Sequence, residues 1–500
     1  MFIIVLIQIH LLIMEVLILK QYEMYINGEF IENGNRKMLD IINPARETII
    51  SKVPFATKED VDKAIDCAYE AQKSWAKLPA IERGKYLHKI ASLMRENIDT
   101  LATVMAEEQG KTMDLSITEV NLSADYLDFM AEFARRYEGE ILQSDRPNEN
   151  ILIYKQPIGV VAGILPWNFP VFSIVRKVGP ALLTGNTIVI KPSSETPNNA
   201  FEFAKLVDEA KLPKGVFNLV TGSGSVVGNA MSSNPKVGFI TMTGSVPAGT
   251  AIMKAAADNI TKVSLELGGK APVIVMEDAD LDEAVKPITT SRVTNTGQAC
   301  SSAERIYVQE SIADEFTAKV IEEMKKVTYG DPLTDTNITM GPLVSKQQQT
   351  DVDTMVKEAV AEGAEIALGG TFGNREKGFF YEPTVLINCK QDMKIIHNEI
   401  FGPVMPIVTF KDFDQVLEYA NDCEFGLTSA IFAKNINYIM RAANELKFGE
   451  TYVNREHFEA MQAFHSGFKK SGIGGDDGKY GLEEFLQTHV VYIQYDTSAK

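Results

Sequence analysis

Short, continuously apolar runs between residues 160 and 242 most constrain how this chain can fold. Runs without polar alternation are expected of strands that are buried on both faces of a parallel sheet. A helical pattern joins the first two runs, and glycine and serine follow the last two. Strands that alternate with helices and end in glycine-rich turns are typical of a doubly wound α/β fold. The runs lie at 160–165, 186–190, 216–220 and 238–242.

A second α/β region is predicted after residue 265. Because 500 residues exceed one comfortable hydrophobic core, two or three domains are expected. A β-branched strand at 488–494 is expected to pair with another element or another subunit. The other predicted strands are hairpin-like segments within 24–50 and runs at 272–275, 305–308 and 365–368. The other helical patterns cover 58–110, 117–138, 280–294, 312–327 and 346–362.

Composition excludes several classes of function. With 49 Lys+Arg against 67 Asp+Glu, the net charge of −18 argues against nucleic acid as a partner, since phosphate binding needs a basic face. The four cysteines are too far apart for a CxxC signature, and with six scattered histidines no metal site is predicted. So few cysteines indicate a reducing cytoplasm rather than a disulfide framework.

Residues 1–23 form an apolar extension that is interrupted by Gln8, His10 and Glu15. They have neither the positive n-region nor the small-residue cleavage site of a signal peptide. The favoured interpretation is an upstream start codon, with Met24 as the natural beginning. An amphipathic or membrane anchor and a genuine extra strand or helix are the alternatives, and no membrane partner is expected.

Two glycine-serine turns point to a dinucleotide site. The first, at 222–228, follows the strand that ends at Val220, and the second is Thr243-Gly244-Ser245. Glycines there let backbone amides or an adenine ring lie close to the turn, although a simple tight turn explains one such motif equally well. Lys191 follows another strand, at the end where ligands of parallel sheets bind. It could bind ribose hydroxyls or a phosphate.

Cys300 lies among small residues in the stretch Gly297-Gln-Ala-Cys-Ser-Ser302, where a ligand could approach it closely. A lone cysteine is either a buried structural thiol or a nucleophile. Asn168, between aromatic residues and prolines, could donate to a developing oxyanion, although Trp167 and Phe169 could equally form a packing plug. Glu266, beside two glycines, could reach a shared cavity as a general base.

These motifs together resemble the aldehyde dehydrogenase superfamily, and the resemblance covers nearly all of the chain from Met24 to about Gln494. They occur in the order and approximate spacing of that superfamily. The motifs are Pro166-Trp-Asn-Phe169, Lys191, Thr243-Gly-Ser245, Glu266-Leu-Gly-Gly269, Gly297-Gln-Ala-Cys300 and Glu399-Ile-Phe-Gly-Pro403.

The resemblance implies a two-step oxidation of an aldehyde with NAD or NADP. Cys300 would attack the aldehyde, and the Asn168 side chain with the Cys300 backbone amide would hold the oxyanion. After hydride transfer, Glu266 would activate the water that hydrolyses the thioester. Lys191 and Glu399 would hold the two riboses and Ser245 the pyrophosphate. The full set of implied cofactor-binding residues is Trp167, Lys191, Ser193, Ser194, Glu195, Gly224, Thr243, Gly244, Ser245, Glu266, Glu399 and Phe401.

Stretches such as Phe458-Glu-Ala-Met-Gln-Ala-Phe-His465 are similar to the members that oxidise lactaldehyde and glycolaldehyde. This similarity implies a substrate site of Arg176, Ser301, Glu459 and His465. Ser194 stands where many members have a ribose-binding glutamate, so the choice between NAD and NADP stays open. Ser301 stands where the similar members have an asparagine that contacts the substrate. A semialdehyde dehydrogenase, with Arg176 on a remote carboxylate, and a catalytically silent member are the alternatives.

The resemblance also implies the domain organisation. The cofactor-binding domain would be Rossmann-like and comprise 24–138 and 158–267, and the second α/β domain, the catalytic one, would comprise 268–465. A small β oligomerisation arm would be formed by 139–157 and 486–500, and 466–485 would return towards the cofactor domain. Such an arm implies a homodimer or homotetramer.

Overall fold

The computed structural model describes residues 19–498. Predictions for residues 1–18 lie outside this part of the chain. The strands are β1 Lys20–Gln21, β2 Met24–Ile26, β3 Glu29–Ile31, β4 Met38–Asn43, β5 Thr48–Pro54, β6 Glu140–Gln143, β7 Glu149–Pro157, β8 Val160–Ile164, β9 Thr187–Lys191, β10 Phe217–Leu219, β11 Val237–Thr243, β12 Lys262–Glu266, β13 Ala271–Val275, β14 Ala303–Gln309, β15 Glu365–Leu368, β16 Thr384–Cys389, β17 Val404–Phe410, β18 Phe425–Gly426, β19 Thr428–Phe432, β20 Glu450–Val453, β21 Phe468–Lys469, β22 Gly472–Ile473 and β23 Leu486–Gln494.

The helices of the same residues are numbered in chain order. They are α1 Lys58–Trp75, α2 Ala80–Glu96, α3 Ile98–Gln109, α4 Met113–Ala131, α5 Pro170–Thr184, α6 Asn198–Glu209, α7 Asn229–Ser232, α8 Val246–Ala256, α9 Leu281–Val293, α10 Ala313–Met324, α11 Lys346–Ala361, α12 Lys394–His397, α13 Phe413–Asn421, α14 Ile436–Glu445 and α15 Gly478–Glu484. Within 19–498, no helix is long and apolar enough to cross a membrane.

The predicted apolar runs form the centre of an eight-stranded sheet with the order β22-β12-β11-β8-β9-β10-β2-β3. Strands β8 to β12 run parallel to one another, so their carboxyl ends meet at one edge. Strands β8 and β9 are buried along their whole length, which explains their lack of polar alternation. The predicted Rossmann-like, doubly wound arrangement is confirmed.

The second α/β unit is a seven-stranded sheet with the order β15-β16-β17-β14-β13-β19-β20. Its strands are parallel except for the edge strand β15. Strands β16, β17, β19 and β20 are absent from the sequence-based prediction. Cys300 lies between α9 and β14, at the end of this unit that faces the first sheet.

A third, three-stranded sheet consists of β23, β7 and β6. Residues Leu486–Gln494 pair in antiparallel register with the whole of Glu149–Pro157, so the predicted terminal strand pairs within its own chain. Its apolar side chains remain largely exposed: Ile141, Leu142, Tyr154, Tyr492 and Ile493.

The predicted helical block over 58–110 is wrong in one respect, because the structure divides it into α1, α2 and α3. Pro79 precedes α2, and proline has no amide hydrogen with which to continue a helix from upstream. Asn97 ends α2 and starts α3. The block at 117–138 is helical from Met113 to Ala131 and continues as one short 3-10 turn.

Part of the predicted N-terminal extension packs against the first α/β unit. Strand β1 pairs in parallel with β5. Tyr22 is buried, its ring stacks on Phe201 at 4.8 Å, and its hydroxyl donates to Glu202 at 2.8 Å. Residues 20–22 are therefore structural parts of the fold.

Candidate active site

A cavity of about 530 Å³ lies where the carboxyl ends of β8, β9, β11 and β12 face the second sheet. It is the crevice in which doubly wound sheets bind their ligands. Most of the predicted cofactor-binding residues line it, together with both Asn168 and Cys300. The predicted residues at its wall are Trp167, Asn168, Lys191, Ser193, Ser194, Gly224, Thr243, Gly244, Ser245, Cys300, Glu399 and Phe401.

The cavity also has a wall that the sequence did not indicate. Gln348, Asp351 and Met355 reach it from α11. Their spacing places them on one helix face, but nothing in the local sequence separates this face from an ordinary half-buried one. Glu195, in contrast, was predicted to contact the cofactor but is exposed and does not line the cavity.

At the far end of the cavity, Lys191 is buried and its ammonium donates to the carbonyl of Pro192 at 3.0 Å. Burial lowers the pKa of Lys191 to about 8. The hydroxyl of Ser194 donates to the carbonyl of Gly222 at 3.3 Å. A Cβ at Gly224 would meet no atom within 4 Å, so this turn leaves open space at the cavity wall. These features fit a dinucleotide with an anionic or hydroxyl-rich end.

Glu399 lies against the glycine pair that follows β12. One of its carboxylate oxygens accepts from the Gly269 amide at 2.8 Å. A Cβ at Gly268 would stand 2.5 Å from the other oxygen, so only glycine allows this approach. Burial, followed by the charge of Glu304, raises the pKa of Glu399 to about 8. Trp167 and Phe401 meet edge to face at 5.3 Å beside it.

The segment that leads into Cys300 has unusual backbone geometry. Asn295, Thr296 and Gly297 have φ angles of 50°, 60° and 75°, a left-handed run that costs free energy for the first two residues. Arg292 fixes the run by donating to the carbonyl of Gly297 at 2.8 Å and also to that of Gly402. These buried contacts hold the left-handed run, which ends three residues before Cys300 at the cavity wall.

Asn168 is positioned by a buried ion pair. Its backbone carbonyl accepts from the Lys111 ammonium at 2.8 Å, and Lys111 pairs with Glu119. Glu119 in turn accepts from the amides of Val171 and Phe172 at the start of α5, at 2.9 and 3.0 Å. The side-chain amide of Asn168 donates one hydrogen to the carbonyl of Gln298 at 3.0 Å. Its second N–H is available for an oxyanion beside Cys300.

Glu266 ends β12 and is almost completely buried. Neither of its carboxylate oxygens has a hydrogen-bond partner among the described residues, and the nearest cationic atom, His465 Nε2, lies 3.8 Å away. Burial is the main cause that raises the pKa of Glu266 to about 8. A buried ion pair between Lys177 and Asp476, at 2.5 Å, lies behind it. A carboxyl group in this state is suited to accept a proton near neutral pH.

On the other side of Cys300, the predicted substrate residues form a polar cluster outside the large cavity. His465 Nδ1 lies 2.7 Å from Glu450. Burial and Arg176 act to lower the pKa of His465, but the Cys300 thiol, Glu450 and Glu266 outweigh them and raise it well above its ordinary value. Arg176 lies 3.4 Å from Glu459. The structure therefore brings His465 to Cys300 and Glu266, with Arg176 and Glu459 next to it.

Ser301 and Asp477 complete this cluster. The carbonyl of Ser301 accepts from Thr428 at 3.2 Å and lies 2.7 Å from His457 Nδ1, so the residue after the nucleophile is fixed through its backbone. Asp477 accepts from Nε of Arg176 at 2.8 Å and also contacts Nη2. The sequence analysis did not identify Asp476 or Asp477, because no local sequence pattern separates them from solvated aspartates.

A second buried network connects the Cys300 segment to Glu399. Glu304 pairs with Lys270 and Arg292, each at 2.8 Å, and accepts from the amide of Ile400 at 2.9 Å. Burial would raise the pKa of Glu304, but Arg292 and Lys270 outweigh it and lower the pKa to about 2. One carboxylate thus stabilises both loops that carry functional residues.

We expect Glu304→Gln to destabilise the protein by about 3–5 kcal/mol, because removing one member of a buried ion network leaves the others unpaired. The stabilisation by the Glu304 carboxylate should be fully present above the pKa of this group in the unfolded chain, about 4.3. It should be lost as the pH falls through the pKa in the folded protein, about 2. Denaturant unfolding of wild type and variant at pH 7 measures it. Glu82→Gln, which breaks an exposed pair, is the control and should cost less than about 1 kcal/mol. Equal losses in both variants would contradict the role of Glu304.

Fold, cavity and thiol together define an oxidoreductase that acts on aldehydes with a dinucleotide. Residues 30–491 match the aldehyde dehydrogenase family, and the chain belongs to that family. The chain is 55% identical to lactaldehyde dehydrogenase of Escherichia coli (strain K12) over 474 residues, which cover 95% of this chain and 99% of the relative. The prediction of an NAD- or NADP-dependent aldehyde dehydrogenase is confirmed.

Solved structures agree with this assignment. The crystal structure of lactaldehyde dehydrogenase from Escherichia coli superimposes with a TM-score of 0.94 and covers 96% of this chain and 100% of that chain. A structure of 3,6-anhydro-L-galactose dehydrogenase in complex with NAP superimposes with a TM-score of 0.93 at 44% identity, and covers 95% of this chain and 100% of that chain.

Proposed function

We propose that this enzyme oxidises small, neutral hydroxyaldehydes such as lactaldehyde or glycolaldehyde to the corresponding acids. The observation that carries the proposal is the position of Cys300 between two different environments. One is the long cavity that fits a dinucleotide, and the other is the polar cluster of Arg176, Glu459 and His465. Such a cluster can satisfy a hydroxyl next to the aldehyde, which an apolar pocket would leave unpaired. The 55% identity to lactaldehyde dehydrogenase supports the same substrate class.

In the proposed mechanism, Cys300 Sγ attacks the aldehyde carbon and forms a thiohemiacetal. The free N–H of the Asn168 side chain and the Cys300 amide stabilise its oxyanion. The nicotinamide, when bound, supplies the hydride acceptor. Glu266 then takes a proton from the water that hydrolyses the resulting thioester and releases the acid.

The cofactor would be held by the residues at the strand ends. Lys191, Ser193 and Ser194 would contact the adenosine ribose, Ser245 the pyrophosphate, and Glu399 the second ribose. The exposed position of Glu195 leaves the ribose end of the cavity without a carboxylate from this loop. We therefore propose that both NAD and NADP are accepted, with Lys191 as the partner of a 2′-phosphate.

Ser194→Glu is expected to lower kcat/KM for NADP by about tenfold or more, because a carboxylate beside a phosphate costs several kcal/mol when both are partly desolvated. The kcat/KM for NAD should fall much less than that for NADP, or it should rise. Initial rates with each cofactor measure the ratio. Glu195→Gln is the matched control, since it changes an exposed carboxylate one residue away and should leave the ratio unchanged. An unchanged ratio in Ser194→Glu would place the 2′-phosphate elsewhere.

Initial rates with lactaldehyde, glycolaldehyde and succinate semialdehyde, each with NAD and NADP, test the substrate class. The proposal expects the two hydroxyaldehydes to have the larger kcat/KM. A clear preference for succinate semialdehyde would favour the alternative in which Arg176 binds a remote carboxylate. No turnover with any aldehyde would favour a silent member, although Cys300, Asn168 and Glu266 are all in place.

We further propose the domain organisation expected above, with 24–138 and 158–267 as the cofactor domain and 268–465 as the catalytic domain. The apolar side chains of the arm, including Ile141 and Tyr492, support its use in a homodimer or homotetramer. The four cysteines are all free thiols, which supports a reducing cytoplasm as the site of action.

A further inference from the structure

The guanidinium of Arg176 is already occupied by carboxylates of its own chain. Asp477 accepts from Nε at 2.8 Å and contacts Nη2 as well, and Glu459 lies 3.4 Å from Nη2. The Asp477 side chain is only 1% exposed, and that of Glu459 is 23% exposed. Such two-point contact between arginine and a carboxylate is the strong form of this interaction.

The backbone at Asp477 is shaped for this contact. Its φ of 71° lies in a region that residues with a side chain rarely adopt, and it is followed by Gly478 with a φ of 55°. A residue held in such a conformation at a buried position indicates a functional constraint. Burial raises the pKa of Asp477, and Arg176 opposes that shift.

This ion pair borders the aldehyde side of Cys300. Asp476, the residue before Asp477, forms an antiparallel bridge with His465, with amide-to-carbonyl distances of 3.0 and 2.8 Å. The His465 ring lies next to Glu266 and the Cys300 thiol. Arg176 lies on α5, and the next residue of that helix, Lys177, pairs with Asp476. A substrate bound at Cys300 on this side therefore meets the pair.

The charges around the site oppose an anionic substrate. The carboxylates other than Glu266 are Asp476, Asp477, Glu450 and Glu459, and the cationic groups are Arg176, Lys177 and His465. Each cationic group already has a carboxylate partner. An aldehyde with its own carboxylate would add a negative charge and would compete with Asp477 and Glu459 for Arg176. A neutral hydroxyaldehyde adds no charge and can donate its hydroxyl hydrogen to one of these carboxylates.

We propose that Asp477 is a specificity-determining residue, which occupies Arg176 and thereby discriminates against aldehydes that carry a carboxylate. The inference rests on the proposed function, since it assumes that the aldehyde is bound beside Arg176. It goes further by assigning the selection against semialdehydes to one named ion pair. Asp477 acts through Arg176 and takes no part in the covalent chemistry.

The test compares substrates that differ only in charge. Kinetics are measured with succinate semialdehyde and with its neutral methyl ester, on wild type and on Asp477→Asn. Asparagine has the same shape as aspartate, so the substitution adds no steric demand to the backbone at this position. We expect the ratio of kcat/KM for acid over ester to rise by about tenfold or more, chiefly through KM of the acid, because one opposing charge is removed and Arg176 becomes available.

Two further variants make the comparison decisive. Glu459→Gln removes the more exposed partner of Arg176 and should raise the same ratio in the same direction, but by less. Glu483→Gln removes a carboxylate from α15 that lies 3.9 Å from Lys479 instead, and it should leave the ratio unchanged. General damage to the site would lower the values for acid and ester together, so the ratio separates specificity from stability.

An unchanged acid-to-ester ratio in Asp477→Asn, with melting temperature and cofactor binding retained, would overturn the inference. If Asp477→Asn does not fold, an unchanged ratio in Glu459→Gln has the same meaning. If the proposed function is wrong, the result is different, because the wild-type enzyme itself would then prefer succinate semialdehyde to lactaldehyde. A wild type that prefers lactaldehyde, with unchanged ratios in the variants, contradicts only the role of Asp477.

Discussion

Cys300→Ala is expected to reduce aldehyde oxidation by about 10³-fold or more, because alanine cannot form the covalent intermediate through which the reaction is divided into two easier steps. The position of the thiol explains the size of the effect. It lies at the meeting point of the cofactor cavity and the polar cluster, and no other cysteine side chain lines that cavity among the described residues. Steady-state rates with lactaldehyde measure the loss.

Binding of the dinucleotide should survive this substitution. The residues proposed to hold it, such as Lys191 and Glu399, lie on other elements and do not depend on the thiol. Calorimetric titration of the variant with NAD and NADP checks this expectation. Cys423→Ala is the matched control, since this free thiol is also partly exposed but lies outside the cavity, and its variant should retain full activity. Substantial turnover by Cys300→Ala would refute the assignment of the nucleophile.

The parts of the fold and site that were predicted correctly are those for which the local sequence contains a strong signal. Strands β8 and β9 are buried on both faces, so their residues are continuously apolar, and the turns after β10 and β11 contribute Gly224 and Gly244 to the cavity wall. Cys300, Asn168 and Glu266 belong to short contiguous motifs. Such features depend on neighbours in sequence, and therefore a single sequence can indicate them.

The unpredicted features depend on residues that are distant in sequence. Strands β16 and β17 pair with each other in the second sheet, and long connections in the chain lead to them. Lys111 reaches the carbonyl of Asn168 across 57 positions, and Asp477 reaches Arg176 across 301. A buried lysine or aspartate has no local sequence pattern that separates it from a solvated one. Only the three-dimensional structure identifies these partners.

In the loop after β9, the side chains of two adjacent residues differ in their position relative to the cavity. The sequence analysis placed both Ser194 and Glu195 at the cofactor, but the structure places only Ser194 at the cavity. Glu195 is exposed and lies three residues before the start of α6 at Asn198. Which of two adjacent side chains points inwards depends on the turn geometry, and composition alone does not determine it.

Glu266→Gln is expected to separate the two halves of the reaction. The nucleophile remains, so one equivalent of reduced cofactor per active site should still form rapidly. The steady-state rate should fall by about 10²–10⁴-fold, because the general base for thioester hydrolysis is lost. Rapid-mixing measurements of reduced cofactor would show a burst followed by a slow phase. A slow first turnover in the variant would instead mean that Glu266 is needed before the thioester forms.

The pH dependence gives a second, independent test of Glu266. Its pKa of about 8 results from burial, is lowered by His465, Lys177 and Arg176, and is raised by Asp476. Only the ionised carboxylate can accept a proton, so kcat of the wild type should rise as the pH increases through about 8, and this rise should disappear in Glu266→Gln. Glu399 also has a raised pKa of about 8, which makes Glu399→Gln the matched control. The Glu399→Gln variant should bind the cofactor more weakly and still show the rise of kcat with pH. If the rise is lost in Glu399→Gln and kept in Glu266→Gln, the two roles are assigned the wrong way round.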